Sequence, residues 1–220
     1  MNQATGNLYA NAKNEGLIVD LSDSYTHICP FIGGILMEDK VRWYKIGERD
    51  LTEYMLKLLV RESGQYIKYF EYAKLIKEKT CYCAFDYYEE LKCVNSINYE
   101  LPDSNIIVKN ERIKSPEVLF NPNILYKEEV GLERVCYDIL QDIYKSYDNF
   151  LFDKIILAGG NSMIDGFPER FKKEIKRLTP SNSQQESELK VIVSPERIDN
   201  TWIGGSVISA ISSFDNQYIT

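Results

Sequence analysis

Short apolar runs alternate along this chain with longer segments in which apolar residues recur every three or four positions. The runs GLIVDL at 16–21 and YTHICP at 25–30 are separated by a polar SDS turn, a pattern that predicts a β-hairpin. Further apolar positions up to residue 46 extend the meander. The first third of the chain is therefore predicted to be mostly strand.

The apolar period becomes helical after residue 49. Asp50 followed by Glu53 is typical of a capping box, so we predict that a helix begins at Asp50 and buries the apolar positions between residues 51 and 59. In a second helix at about 71–82, Leu75 and Ile76 are expected inward and Lys77 on another face. Further helices are predicted from Leu132 to Ile143, at 167–178 and in TWIGGSVISAISSF at the end.

The segment KIILA at 154–158 is typical of a buried strand, and Gly159 and Gly160 follow it directly. Strands are also predicted around the PDSN turn of YELPDSNIIV and in KVIV, whereas SNSQQESE at 181–188 is typical of a solvated loop. Helices that alternate with apolar strands indicate an α/β architecture, in which ligands bind beyond the carboxyl ends of strands. The glycine pair suits a nucleotide there, although it also fits a tight structural turn.

Charge and cysteine usage limit the classes of partner and site. The 220 residues carry a formal net charge of −7, which argues against nucleic acid or an anionic membrane as the main partner. The five cysteines form no CxxC pair and His27 is the only histidine, so a zinc site is not expected and reduced thiols in a cytosolic or nuclear compartment fit best. No signal peptide or membrane span of roughly 20 apolar residues is expected.

Several motifs resemble the actin family, and they occur in the family's order. ILAGGNSMIDGFPERFKKEI resembles its strand, Gly-Gly turn and helix, GLIVDLSDSYTHICP resembles its second phosphate hairpin, and ERDLTEYMLKLL resembles its GRDLTDY segment. SPERIDNTWIGGSVISAISSF has a counterpart as well. The similarity covers about the whole of this chain but only the C-terminal part of an actin, roughly its third and fourth subdomains.

This resemblance implies an α/β fold, an actin-like (ribonuclease H-like) ATPase lobe. A mixed sheet flanked by helices is expected, with an inserted smaller α/β subdomain. The expected division is a core like the third subdomain at 1–46 and 128–199, an insertion like the fourth at 47–127, and an apolar helix at 200–220 that leads toward a first subdomain outside this chain.

The resemblance also implies a site for ATP or ADP with magnesium. Asp20 matches the aspartate that holds the metal through water, and Gln3 and His27 match the side chains that position the attacking water. The positions matched to nucleotide contacts are Ser22, Asp23, Ser24, Lys74, Lys77, Glu78, Gly159, Gly160, Asn161 and Met163. The residues alone leave plainer roles open: Asp20 and His27 could stabilise the hairpin, and the lysine–glutamate pair at 77–78 could be an exposed charged face.

Departures from the family pattern predict a degraded nucleotide site. Both glycines of the family's DSGDG hairpin are serines here, Ser22 and Ser24, and each would cost on the order of 1 kcal/mol if its position needs a positive φ. Glu48 replaces a glycine and puts a bulky anion beside the adenosine. The other changes place Lys74 for an arginine, Asn161 for a threonine and Ile198 for a lysine. The first phosphate loop belongs to the lobe outside this chain, so about half of the contacts are expected here.

Two classes of function remain open. The first is an actin-like cytoskeletal ATPase subunit that assembles with itself or with actin, and the second is a nucleotide-independent interaction module, like an actin-related protein in a larger complex. A small-molecule kinase of the same superfamily is more remote. Both main classes imply protein partners, no direct nucleic acid or membrane partner, and a cytoplasmic, cytoskeletal location, with a nuclear one as an alternative.

Two surfaces are candidates for partner contacts. The loop at 123–127 matches an apolar-tipped loop of the family; it keeps Ile124 and Leu125 and fits either docking in a filament or packing on its own lobe. The final helix is expected to leave an apolar patch partly uncovered. The residues of that patch are Trp202, Val207, Ile208 and Ile211.

Overall fold

The architecture is that of a computed structural model, which describes residues 2–61, 64, 66–147 and 150–210. The helices are α1 (Gln3–Ala10), α2 (Glu48–Arg61), α3 (Phe70–Thr80), α4 (Tyr87–Glu90), α5 (Glu111–Glu117), α6 (Leu132–Tyr147), α7 (Phe167–Leu178), α8 (Gln184–Glu188) and α9 (Asn200–Ser209). The strands are β1 (Gly16–Leu21), β2 (Thr26–Ile32), β3 (Ile35–Leu36), β4 (Arg42–Tyr44), β5 (Ile97–Glu100), β6 (Asn105–Val108), β7 (Ile155–Ala158) and β8 (Val191–Ile192). Single 3-10 turns lie at Glu38–Lys40, Pro122–Leu125 and Gly160–Met163.

The main sheet is mixed, with the order β3-β2-β1-β7-β8 and with β4 also paired to β2. The hairpin β1–β2 is antiparallel, whereas β1–β7 and β7–β8 are parallel. Every residue of β1 is buried, because helices cover both faces of the sheet. Ile18 packs in one apolar cluster with Leu8 of α1, and Val19 packs in another with Phe171 of α7. A mixed sheet flanked by helices confirms the predicted architecture.

A second, two-stranded sheet, β5–β6, has its own apolar cluster with α2 and α3. Met55, Ile76, Ile106 and Val108 are fully or almost fully buried there. The hairpin predicted around the PDSN turn is confirmed. The division of the chain at residues 46 and 128 stays a prediction.

Helix α2 begins at Glu48, so the predicted start at Asp50 is wrong. The backbone N–H groups of Glu48 and Arg49 donate to the carbonyl oxygens of Ser22 and Asp23 at 3.0 and 2.9 Å, and these bonds from the hairpin satisfy the first turn. The Asp50 carboxylate accepts from the N–H of Gly47 at 2.9 Å. Asp50 is therefore inside the first turn rather than at its cap.

Three further predictions differ from the structure. Leu75 of α3 is 39% exposed while Lys77 is 2% exposed, because the Lys77 ammonium finds polar partners in the interior. The segment predicted as a solvated loop at 181–188 contains α8, whose first turn is capped by the Ser183 hydroxyl. The N-terminal segment, for which no helix was predicted, forms α1.

Helix α9 packs on α1 through glycines. A Cβ at Gly204 would lie 1.8 Å from the carbonyl oxygen of Gly6, so the two backbones touch directly. The opposite side of α9 is open: Trp202 is 78% exposed and Val207 is 43% exposed, as expected for the final helix. Ile208 is half-buried, and Ile211 lies outside the described residues. No helix in the described part of the chain is long and apolar enough to cross a membrane.

The loop that follows α5 packs mainly on its own lobe. Ile124 and Leu125 lie against the main core, and the Lys127 ammonium pairs with the Asp50 carboxylate at 2.6 Å. Tyr126 projects into solvent, with φ +57° and a side chain that is almost fully exposed. Of the two alternatives for this loop, the structure favours packing on the lobe for its apolar residues.

A cluster of charged side chains is buried at the junction of α5, α6 and α7. The Arg170 guanidinium pairs with Glu117 at 3.3 Å and with Glu174 at 2.7 Å. Burial raises the pKa of Glu117 to about 7, although Arg170 opposes this. Burial also raises the pKa of Glu133 to about 7, and its own backbone N–H opposes this only in part. Among the described residues, one buried carboxylate oxygen of Glu133 has no hydrogen-bond partner.

Stability should therefore rise in mild acid. The folded pKa of Glu117 and Glu133 lies above the ordinary 4.5, so the native state binds more protons than the unfolded state between these values. We expect the free energy of unfolding from urea titrations to increase as the pH falls from about 8 to about 5. Glu133→Gln should raise the free energy of unfolding near pH 8 and make it depend less on pH. A free energy of unfolding that decreases as the pH is lowered from about 8 to about 5 would contradict the prediction.

Candidate functional site

Asp20, the penultimate residue of the central strand β1, is the centre of a hydrogen-bond network. Its carboxylate accepts from the side-chain amides of Gln3 at 2.7 Å and Asn7 at 2.8 Å and from the hydroxyl of Ser22 at 3.0 Å. Both amides come from α1, which packs across the end of β1. Asp20 is only 2% exposed, and three hydrogen bonds offset the cost of burying its charge. The network leaves about one lone-pair position of the carboxylate free.

The glycine pair lies beside this carboxylate. Ala158 ends β7 next to Asp20 in parallel register, and Gly159 follows with φ +84°. A Cβ at Gly159 would lie 2.7 Å from Asp20 Oδ1 and 2.5 Å from the Leu21 carbonyl oxygen. Only glycine fits this approach, because both the backbone conformation and the space exclude a side chain.

The serine substitutions do not strain the hairpin, so the expected cost at Ser22 and Ser24 is not incurred. In the described part of the chain, the non-glycine residues with positive φ are Ala12, Tyr126 and Asn182. Ser22 instead joins the network around Asp20, since its hydroxyl also accepts from Gln3 at 3.3 Å. Asp23 and Ser24 are exposed at the hairpin turn, and the Ser24 hydroxyl donates to Asp23 at 3.5 Å.

His27 lies directly opposite Asp20 across the β1–β2 ladder. Paired residues of an antiparallel ladder project to the same face, so both side chains lie at the same end of the sheet. The His27 ring packs edge-on against Trp43 of β4, with ring centroids 4.2 Å apart. Gln3, Asp20 and His27, the three predicted catalytic residues, are thus neighbours in the fold.

Glu48 holds both lysines that were matched to nucleotide contacts. Its Oε1 lies 3.1 Å from the Lys74 ammonium and 3.3 Å from that of Lys77. A Cβ at Gly160 would lie 2.7 Å from Glu48 Oε2, so the carboxylate stands over the glycine turn. Glu78 is exposed, and its carboxylate lies 3.8 Å from the Lys74 ammonium.

Burial sets the electrostatics of this ion-pair cluster. Burial lowers the pKa of Lys77 although the Glu48 charge opposes this. Burial also disfavours the charge of Glu48, but the Lys77 and Lys74 ammonium groups outweigh it and the pKa of Glu48 lies below its ordinary value. Asn161, buried after the glycines, accepts from Lys77 at 3.4 Å. Met163 is 39% exposed at the end of the same turn.

Two members of the site were not found from the sequence. Asn7, a donor to Asp20, is a polar residue in a segment with no apolar period. Thr201 of α9 donates to Asn7 at 3.1 Å, so the final helix supports the network from behind. Only a helix signal at the N-terminus would have indicated Asn7, and α1 lacks one because Leu8 is its single large aliphatic residue. Ile198, which stands where the family has a lysine, is exposed.

No group of three or more metal-binding side chains occurs among the residues that the structure describes. A metal at Asp20 would therefore meet fewer than three such side chains of the described residues, and the Asp20 carboxylate itself is nearly enclosed by hydrogen-bond donors. Such an environment suits contact through a water rather than direct coordination, since magnesium usually keeps several waters.

Comparison with known proteins identifies the family. The profile of the family described as Actin matches residues 1–220. Centractin from the fission yeast Schizosaccharomyces pombe is 34% identical over 224 residues, which cover 97% of this chain and 57% of the yeast protein. The chain thus spans just over half of that relative's length. The chain belongs to the actin family.

Proposed function

We propose that this chain is part of an actin-like cytoskeletal protein that assembles with protein partners and holds ATP or ADP with magnesium only weakly. The single observation that carries the weak site is the Glu48 carboxylate over Gly160, paired with Lys74 and Lys77. The proposed nucleotide and the proposed assembly rest on the family resemblance, and the proposed weak binding rests on the position of Glu48.

Glu48 acts as an internal anion in this proposal. A nucleotide that approaches Gly160 must displace the carboxylate from two lysines, and the carboxylate cancels one of their two positive charges unless it moves away. Lys77, 2% exposed, cannot follow a ligand outward. The cost of separating a partly buried pair without compensation is several kcal/mol, which is large compared with the affinity that one lobe supplies.

Asp20 fits a magnesium that is held through water. Its remaining lone-pair position and its place beside Gly159 support this role, with the metal's charge stabilising the phosphates when it is bound. Gln3, donating to Asp20, and His27, packed on Trp43, would orient water near the same edge. Because Glu48 limits binding, we expect little ATP hydrolysis.

The partners are proposed to be proteins: further copies, actin, or a larger complex. The similarity to centractin and the exposed face of α9 support this, as does the net charge of −7, which disfavours nucleic acid. The corresponding location is the cytoplasmic cytoskeleton. A nucleotide-independent structural module is the second candidate, and the ion-pair cluster of Glu48 favours it to the extent that ATP is excluded.

Titration with a fluorescent ATP analogue and magnesium tests the proposal. The native chain should bind with a Kd on the order of 1 mM or weaker. Glu48→Ala should bind at least about tenfold more tightly, because it releases the exposed Lys74 ammonium for a phosphate and clears the space over Gly160. Glu53→Ala, on the same helix but paired with Arg49, is the control and should match the native chain.

The outcomes separate the two candidates. Micromolar binding by the native chain would contradict the weak site and favour an ordinary actin-type ATPase. An absence of binding by both the native chain and Glu48→Ala would favour the nucleotide-independent module.

A further inference from the structure

A groove runs along the exposed face of α2, and Ser24, a position matched to nucleotide contacts, lines its smaller part. Two cavities, of about 610 and about 310 Å³, line this face and share Asp50, Glu53 and Lys127. The Lys127–Asp50 ion pair, 2.6 Å long, stands where they meet. We call these two adjoining cavities together the α2 groove. Glu48 lines neither cavity.

The floor of the α2 groove is apolar. Tyr54 and Leu58 of α2 line the larger cavity on one side, and Ile124 and Leu125 line it on the other. Leu58 is nearly buried, whereas the other three side chains are half-buried and keep part of their surface in the cavity. A floor of this kind can take a bulky aliphatic or aromatic side chain.

The walls of the α2 groove are basic. Its two carboxylates are already neutralised, since Asp50 pairs with Lys127 and Glu53 pairs with Arg49 at 3.4 Å. Lys45, Lys57 and Arg61 also line it, are exposed, and pair with no carboxylate among the described residues. Three uncompensated cations thus face one groove on a chain whose net charge is −7.

The spacing of these cations matches a polypeptide. Lys57 and Arg61 are four residues apart on α2, hence on one face and about 6 Å apart along the axis. Two carboxylates on alternate residues of an extended segment are separated by about 6–7 Å. A free phosphate would meet the cations but would leave the apolar floor uncovered.

We propose that the α2 groove binds an acidic segment of a partner protein, with a bulky apolar side chain on the floor and carboxylates on Lys57 and Arg61. This site goes beyond the nucleotide site and does not depend on whether ATP binds. Charge complementarity selects the segment and accelerates its association, while the apolar anchor supplies most of the affinity.

Fluorescence anisotropy with labelled eight-residue peptides tests this inference on the full 220-residue chain. The probe consists of glutamates with two leucines; one control peptide replaces the glutamates by lysines, and another replaces the leucines by serines. We expect saturable binding of the probe alone, weaker at about 300 mM than at about 50 mM salt. The double variant Lys57→Glu/Arg61→Glu should lower its affinity at least about tenfold.

A matched double variant controls for the change of net charge. Lys145 and Lys172 are exposed on α6 and α7, outside the α2 groove, so Lys145→Glu/Lys172→Glu should stay within about twofold of the native affinity. Lys57→Gln/Arg61→Gln should give an intermediate loss of affinity for the probe. It replaces the charge-reversal variant if that variant does not fold. Thermal unfolding verifies that each variant is folded.

Three results would overturn the inference. One is an absence of probe binding up to about 1 mM, and another is equal binding of the lysine peptide or the serine peptide. The third is self-association of the native chain in light scattering that Lys57→Glu/Arg61→Glu abolishes, which would assign the α2 groove to a second copy of this chain.

Discussion

Arg170→Met is expected to lower the free energy of unfolding by about 3–5 kcal/mol near pH 8. Arg170 is 7% exposed and holds Glu117 and Glu174 together. Its guanidinium also donates to the Ala84 carbonyl oxygen at 2.6 Å and lies 4.7 Å from the ring centre of Phe120. Methionine fills part of the space but leaves the buried Glu117 carboxylate without its counter-charge, and Glu174 keeps its pair with the exposed Arg177.

Urea titration at two pH values measures this effect and its origin. The loss should shrink toward about pH 5, because protonation removes the buried charge of Glu117, whose folded pKa is about 7 even beside Arg170. The control is Arg177→Met on the same helix: Arg177 pairs with Glu174 at 2.7 Å but is 70% exposed, so its loss should be below about 1 kcal/mol. Equal losses in the two variants would refute the assignment of Arg170 as the main counter-charge.

Gly204→Ala is expected to destabilise the chain by about 1–3 kcal/mol and to loosen α1. The new Cβ would lie 1.8 Å from the Gly6 carbonyl oxygen and 2.7 Å from the Gly6 Cα. Backbone atoms cannot rotate away as a side chain can, so α1 and α9 must separate. Because α1 carries Gln3 and Asn7, the network of Asp20 should weaken with it.

Hydrogen exchange of the α1 amides, together with urea titration, tests this second prediction. Faster exchange in α1 than in α6 would locate the damage at the helix crossing. Ser206→Ala, an exposed change on the same helix, should alter stability by no more than about 0.5 kcal/mol. A Gly204→Ala chain with native stability and native α1 exchange would mean that the two helices do not touch as described.

Local periodicity was sufficient where a single element buries one face or one full strand. The hairpin at 16–32, the strand at 155–158 and the helix Phe167–Leu178 were predicted within a residue or two, because each repeats its apolar positions at the period of its own structure. The order of the motifs then indicated the family. No contact between distant segments had to be known in order to predict these three elements.

Contacts between distant segments decided the parts that were missed. Helix α1 has few large apolar residues because Gly6 must let α9 approach, so its sequence carries no helical period. The start of α2 depends on carbonyl groups of the hairpin more than twenty residues earlier. These partners cannot be identified from spacing within either segment.

The candidate site shows the same division. The positions of Asp20, Gly159 and Gly160 were predicted from motifs, and the structure brings them together at one edge of the sheet. Glu48 was expected to lie near the adenosine as an obstacle. Its pairing with Lys77, from a helix about thirty residues away, was not predictable, because a lysine on an amphipathic helix is ordinarily solvated.

The cysteines offer a practical consequence of the packing. Cys29, Cys81, Cys83 and Cys136 are buried, and burial raises the pKa of each thiol, whereas Cys93 is exposed. Thiolate is the reactive form, so a maleimide dye should modify the folded chain at Cys93 alone. A single dye near α4 would then report, by energy transfer, how far this lobe lies from a labelled binding partner.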